Sequence, residues 1–223
     1  MLLLPLHDSQ RSSRFPLVTA GLIALNVFIF LLQVTLDPFT SNDLIFAFGF
    51  IPERFHWINV FTSLFLHSGW MHLIGNMVFL WVFGDNVEDL LGRWKFLAFY
   101  LVCGAAAAMA QYAVNPDSRI PQIGASGAIA GVMGAYLVRF PASRILTVGW
   151  FIILFTFDLP AWLLFVYWIG LQFLSGLGSI SDVAAQKGGV AYFAHIGGFV
   201  AGMLLILLAK PRERFQLRRD LQW

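Results

Sequence analysis

Charge is scarce in this chain. Lys and Arg number 14 and Asp and Glu 12 among 223 residues, or 12%, about half the ~25% share of an ordinary soluble domain. That scarcity excludes a protein whose only solvent is water. There is one cysteine, Cys103, so no internal disulfide is available, and its apolar setting, without metal-ligand spacing to a partner, assigns it to packing. No His-Glu-x-x-His motif is present, which removes one route to metal-assisted hydrolysis; no metal and no cofactor are expected. No basic stripe precedes the C-terminal tail and the formal charge is only +2, so nucleic acid is not expected as a partner. Neither an internal repeat nor a low-complexity segment interrupts the chain. What is abundant is apolar surface: 59% of residues are hydrophobic and the mean hydropathy is +0.75. The composition is that of a polytopic membrane protein.

Runs without Asp, Glu, Lys or Arg locate the spans, because a crossing helix needs about 20 mostly apolar residues. Five are delimited by charges: Phe15 to Leu36, Phe96 to Pro116, Ile120 to Val138, Leu159 to Ser181 and Gly188 to Ala209. A sixth ends the long uncharged stretch Phe55 to Gly84, starting near Trp70 and reaching the acidic cluster Asp85, Glu88, Asp89. Six spans put both termini on one side. With the N-terminus inside, the inner segments carry 11 of the 14 Lys and Arg residues, and only Arg54, Arg119 and Lys187 lie outside, as the positive-inside rule requires. The first run lacks a small-residue cleavage site and is read as an uncleaved helix. The expected organisation is a cytoplasmic tail over 1–14, one membrane domain over 15–209 and a basic cytoplasmic tail over 210–223.

Between the first two helices, Asp37 to Gly69 holds Phe46, Phe48, Phe50, Phe55, Trp57, Phe61 and Phe65, an aromatic density that suits the membrane interface. The stretch Ile145 to Phe157 is also read as interfacial, and Asp158 with Pro160 as the cap and first turn of the fifth helix.

Polar side chains inside spans are costly and mark function. Four such residues occur: His72 and Asn76 in the second helix, Ser126 at the start of the fourth and His195 in the sixth. Counted from the inner boundary at ~1.5 Å per residue, Ser126, His195 and His72 all lie about 20 Å up, so three helices bring them to one level. Asn76 is one turn deeper than His72 on the same face. Ser126, within Gly124-Ala-Ser-Gly127, heads a helix whose free N–H groups suit an anion, which is what acyl transfer asks of an oxyanion site. Gly127, Gly131 and Gly134 on the fourth helix and Gly198 and Gly202 on the sixth form small-residue stripes that permit close backbone approach, bringing His195 within reach of the Ser126 hydroxyl as its base. His7, His56 and His67 are assigned to tail or loop positions.

Three blocks, Phe61 to Asn76, Gly124 to Gly127 and Ala194 to Gly202, together with Gly84 to Gly92, stand in an order that resembles the rhomboid family of intramembrane serine proteases over Ile51 to Ala209. The resemblance implies an all-α membrane protein, a six-transmembrane-helix rhomboid-like bundle with an interfacial loop between helices 1 and 2. It also implies Ser126 as nucleophile, His195 as general base without a carboxylate partner, and His72, Asn76 and the Ser126 N–H as the oxyanion site, with Gly124 and Gly127 shaping the turn and the close contact. Two departures stand out. Ala130 occupies the position where some relatives carry an aromatic residue against the histidine, so His195 must be oriented by other packing. The Trp-Arg pair of many relatives' first loop is missing, with Glu53 and Arg54 in its neighbourhood.

The implied substrates are single-span membrane proteins whose helix unwinds readily near its outer end, reached through the bilayer past the fifth helix. The expected location is a bacterial cytoplasmic membrane with both termini inside; nothing in the sequence indicates an oligomeric state. Two rival readings are a catalytically silent relative that binds membrane clients and a transporter or proton channel. Against the second stand the lack of a mid-membrane carboxylate and of an inverted repeat.

Overall fold

The computed structural model describes residues 2–10, 12–150, 154–181 and 191–209. The expected basic tail over 210–223, and Lys187 and Gly188 at the start of the last apolar run, lie outside the described residues.

The chain opens with strand β1 (Leu2–Asp8), followed by α1 (Leu17–Thr35), α2 (Pro38–Phe48), α3 (Trp57–Thr62), α4 (Trp70–Leu91), α5 (Arg93–Val114) and α6 (Ser126–Arg139). Strands β2 (Arg144–Trp150) and β3 (Leu154–Pro160) and helices α7 (Ala161–Ser181) and α8 (Tyr192–Leu208) complete it. A helix thus stands at each of the six apolar runs. By length and composition, α1 and α5 are each long and apolar enough to cross a membrane. Large apolar side chains stay on the outside of the bundle, among them Phe28 and Leu32 of α1, Leu171 and Leu174 of α7, and Leu204 and Leu207 of α8. Exposed apolar surface on this scale marks contact with something other than water.

The aromatic connection between α1 and α4 is partly helical. Asp37 caps α2, its Oδ1 accepting from the backbone N–H groups of Phe39 and Thr40 at 3.0 and 3.2 Å. The Thr40 hydroxyl donates to its other oxygen and holds the carboxyl below its usual pKa. Gln33 of α1 then clamps the chain just before α4 with two bonds to the His67 backbone, donating to its carbonyl and accepting from its N–H. A polar residue in an apolar helix here serves as a tether between elements.

The expectation of an all-helical chain needs correction. Strands β1, β2 and β3 form an antiparallel sheet in that order, with Leu4 opposite Val148 and Thr147 opposite Phe157. Ile145 and Thr147 point inward and Leu146 outward, the two-residue alternation of a strand. Asp158 is therefore a strand residue paired with Leu146, not a helix cap. The sheet carries the N-terminus back onto the bundle: Asp8 is buried, accepting from the Asn86 amide of α4 at 3.0 Å and from the Tyr136 hydroxyl of α6. Burial pushes its carboxyl pKa up to about 6, against the Tyr136 hydrogen bond, which lowers it.

At this same end of the bundle, Glu88 of α4 accepts the otherwise unpaired N–H groups of Val18 and Thr19 in the first turn of α1 at 3.1 and 2.8 Å, capping that helix with a negative charge at its positive end. Arg139 does the converse: from the last turn of α6 it donates to the Ile206 carbonyl at 2.8 Å near the end of α8. Both ends of α6 are therefore fixed, one by this polar cluster and the other by the site described next.

Candidate active site

Ser126 is the first residue of α6, and the chain that delivers it runs extended. Gln122 pairs with Phe50 through two backbone hydrogen bonds of 2.8 and 3.0 Å, and the Gly124 N–H donates to the Ser63 carbonyl at 2.9 Å. Gly124 has φ of +120°, a region that disfavours any side chain. A Cβ there would also come within 2.7 Å of the His72 ring. The glycine is needed on both counts, because the turn brings the backbone before Ser126 against α4. No side chain caps α6, which leaves its first-turn N–H groups, that of Ser126 among them, without intrahelical partners.

Helices α6 and α8 meet through bare backbone. A Cβ at Gly198 would sit against the carbonyl of Gly127, one at Gly202 against the carbonyl of Gly131, and one at Gly134 against the carbonyl of Phe199. Gly131 also faces Cys103 of α5, which packs beneath it. The close crossing brings His195 Nε2 to 2.7 Å from Ser126 Oγ, within the range for proton transfer between a hydroxyl and an imidazole. His195 is buried, 8% exposed, and Ser126 half-buried.

On the opposite side of the turn, His72 holds Nδ1 3.0 Å from the Ser68 hydroxyl and leaves Nε2 beside Gly124. One turn on, Asn76 is 8% exposed and its amide nitrogen has no hydrogen-bond partner. A buried, unsatisfied donor costs about 1–3 kcal/mol, and this one lies near Gly124, where an acceptor belonging to a ligand would satisfy it. Beside Ser126 is a cavity of about 40 Å³ lined by Phe50, Ser63, Gln122, Gly127 and Ala194 among others, larger than the ~10–15 Å³ that one water needs. A bigger cavity, about 520 Å³, opens near Arg14, Glu88 and Arg93, at the other end of α4.

All four polar residues singled out from the sequence are thus brought to one site; of the six glycines, Gly124 and Gly127 adjoin it, while Gly131, Gly134, Gly198 and Gly202 line the α6–α8 crossing beneath. Two others join them from α7, where the sequence reading found nothing. Gln172 Oε1 lies 2.8 Å from His195 Nδ1, and the Trp168 ring packs 5.6 Å from the imidazole at 37°. Their signal was a polar residue four positions after a tryptophan inside an apolar run, and so on one helix face. His67, assigned to a loop, is in a loop but buried, its ring edge-on to that of His72 at 5.1 Å. In the first loop, Glu53 pairs with Arg119 at 2.7 Å, an exposed ion pair of small energetic value. Among the described residues no three His, Cys, Asp or Glu side chains are grouped to hold a metal ion.

The Rhomboid domain family matches residues 54–212. Rhomboid protein 1, mitochondrial, of Saccharomyces cerevisiae is 31% identical over 169 residues, covering 73% of this chain and 45% of that protein. The rhomboid protease GluP of Bacillus subtilis is 34% identical over 126 residues, 55% of this chain and 24% of that protein. The human presenilin-associated rhomboid-like protein, mitochondrial, is 31% identical over 161 residues, 68% of this chain and 38% of its own length. The chain therefore spans less than half the length of these relatives. They come from organelles as well as a bacterium, so they give no support to a bacterial membrane in particular.

Proposed function

The chain belongs to the rhomboid family of integral membrane proteins, and from that premise we propose that it is an intramembrane serine endopeptidase working through Ser126 and His195. The observation that carries this reading is the 2.7 Å contact between Ser126 Oγ and His195 Nε2, made between two helices at the head of an uncapped helix. In the proposed cycle His195 Nε2 takes the Ser126 proton as Oγ attacks a peptide carbonyl carbon. The negative charge that forms on the carbonyl oxygen is met by the Ser126 N–H, the orphaned Asn76 amide and His72 Nε2–H, donors already in place before the charge develops. His72 presents that proton when its Nδ1 accepts from the Ser68 hydroxyl. Collapse breaks the C–N bond, the imidazolium returns its proton to the leaving amine, and a water activated by the same imidazole releases the acyl group.

The helices α1, α4, α5, α6, α7 and α8 are proposed to cross the membrane as a six-span domain over 15–209, with the tails 1–14 and 210–223 on the cytoplasmic side. The excess of Lys and Arg assigned to that side supports this orientation. The short α6, 14 residues or ~21 Å at 1.5 Å per residue, sinks Ser126 below the outer surface of a ~30 Å hydrocarbon layer. Peptide bonds near the outer end of a single-span protein are then the substrate class, since they must leave helical hydrogen bonding before Oγ can reach them.

The test is reconstitution. Vesicles containing the protein and a panel of single-span proteins are expected to yield cleavage within the span, lost in Ser126→Ala. Binding of such proteins without turnover in the wild type would favour the client-binding reading, and proton flux dependent on His195 would favour a channel.

A further inference from the structure

We infer that α7 sets the protonation geometry of the proposed base, with Gln172 accepting the Nδ1 proton of His195 and Trp168 packing its ring, so that the lone pair of Nε2 faces Ser126. The inference rests on the reading of Ser126 and His195 as nucleophile and base.

A neutral imidazole carries one N–H donor and one acceptor nitrogen, and its second partner decides which is which. To take the Ser126 proton, Nε2 must be bare, so the proton must sit on Nδ1 and needs an acceptor there. Gln172 Oε1, 2.8 Å away, supplies one. Among the described residues no carboxylate is in position to do so: Asp85, Glu88 and Asp89 lie near the far end of α4 from His72, and Asp8 is tied to Tyr136 at the far end of α6. His72, the other imidazole at the site, turns its Nδ1 to the Ser68 hydroxyl and offers His195 no acceptor. In the opposite arrangement, the amide nitrogen of Gln172 would donate to Nδ1. The imidazole would then present Nε2–H to the serine as a donor, in which state it cannot act as a base.

Position adds to chemistry. Trp168 and Gln172 are four residues apart on α7 and share one face. The indole against the imidazole supplies the aromatic wall that Ala130, small and fully buried on α6, does not. An amide also achieves the orientation without the desolvation cost of burying an isolated carboxylate. When His195 becomes an imidazolium, the same carbonyl oxygen still accepts from Nδ1, so the bond is kept through the cycle. The neighbouring Leu171, Phe173 and Leu174 are exposed, so one helix offers apolar side chains to its surroundings and holds the base with Gln172. Displacement of α7 would release the second nitrogen of His195.

Gln172 is a positioning residue, and its test compares near-isosteric variants that keep or remove the acceptor. Gln172→Glu keeps a carbonyl oxygen at that point, while Gln172→Met fills the same space without one and Gln172→Ala is a second acceptor-free form. Cleavage of a single-span substrate in vesicles gives kcat and KM, and ¹⁵N NMR of histidine-labelled protein in detergent reports which ring nitrogen of His195 is protonated. The wild type is expected to hold the proton on Nδ1. Gln172→Met and Gln172→Ala should show mixed tautomers and a kcat lowered by roughly 10–10²-fold at unchanged KM, less than the ~10⁴ seen where a triad aspartate is replaced by asparagine and the tautomer is wrong. Gln172→Glu should recover at least half of that loss on a logarithmic scale. Acceptor-free variants with wild-type kcat and an unaltered tautomer would overturn the inference. So would equal losses in Gln172→Glu and Gln172→Met with the tautomer unchanged. If the wild type shows no Ser126-dependent cleavage while the tautomer still follows Gln172, the protease reading fails and the assignment of Gln172 stands.

Discussion

Adding one methyl group at Gly198 tests whether the backbone contact between α6 and α8 is what holds the proposed base to its nucleophile. A Cβ at Gly198 would lie 3.0 Å from the carbonyl carbon of Gly127, still closer to its oxygen, and 3.4 Å from the Ala107 side chain. The obstacle is helix backbone on one side and a packed methyl on the other, so neither can swing aside. To restore an ordinary separation of ~3.5 Å or more, α8 must retreat from α6 by roughly 1 Å or more. His195 is three residues away on the same helix face and moves with it. Its Nε2 would go from 2.7 Å to about 3.7 Å from Ser126 Oγ, beyond hydrogen-bonding range.

Overpacking of this kind costs ~1–3 kcal/mol of stability, and a 1 Å misplacement of a catalytic group costs on the order of 10² in rate. Gly198→Ala is therefore expected to unfold several degrees lower in detergent and to cleave a single-span substrate about 100-fold more slowly. The control is Gly21→Ala in α1, where a Cβ meets nothing within 4 Å. That change should keep wild-type activity and gain ~0.5–1 kcal/mol, since alanine loses less freedom in a helix. A Gly198→Ala protein with wild-type rate and unfolding temperature would refute the claim that this contact positions the base.

Other consequences can be checked separately. Asn76→Ala and His72→Ala should each lower kcat by ~10²-fold or more, the value of a single oxyanion donor, with folding retained; unchanged rates in both would make them structural residues only. Asp8 predicts a pH dependence of stability: its pKa is raised to about 6 in the folded protein, so folding favours the protonated carboxyl. The stabilisation is complete below about pH 4, the unfolded pKa, and is lost as pH rises through 6, a total of roughly 3 kcal/mol for two pKa units. Thermal unfolding of Asp8→Asn should therefore gain on the wild type between pH 4 and pH 7, whereas a constant difference between the two would contradict the burial of an ionisable Asp8.

The helices and the convergence of the candidate residues were legible in the sequence because their signals are local. Charge-free runs mark the long helices, and the depth of a residue follows from its count to the nearest charge, which is how Ser126, His72 and His195 could be placed at one level. Glycine stripes at helical spacing, Gly127, Gly131 and Gly134 against Gly198 and Gly202, foretold the crossing that the backbone contacts display. The sheet was not legible. Arg144 to Gly149 alternates in burial but not in hydropathy, since Leu146 and Val148 are as apolar as Ile145, and its partner β1 lies more than 130 residues earlier. Gln172 was passed over for a related reason. A lone glutamine in an apolar run becomes informative only once its helix is known to face His195, and Gln33 and Gln111 show that the same residue type elsewhere serves as a backbone tether.

Covalent capture of the nucleophile is the most direct measurement of the central claim. A serine-directed phosphonate, applied to the protein in detergent and followed by intact mass and peptide mapping, is expected to add one adduct per chain on Ser126. Labelling should disappear in Ser126→Ala and slow sharply in His195→Ala, in step with loss of peptide cleavage. Equal labelling of the wild type and Ser126→Ala, or an adduct mapped to another residue while Ser126 stays unmodified, would contradict the assignment of this hydroxyl as the attacking group.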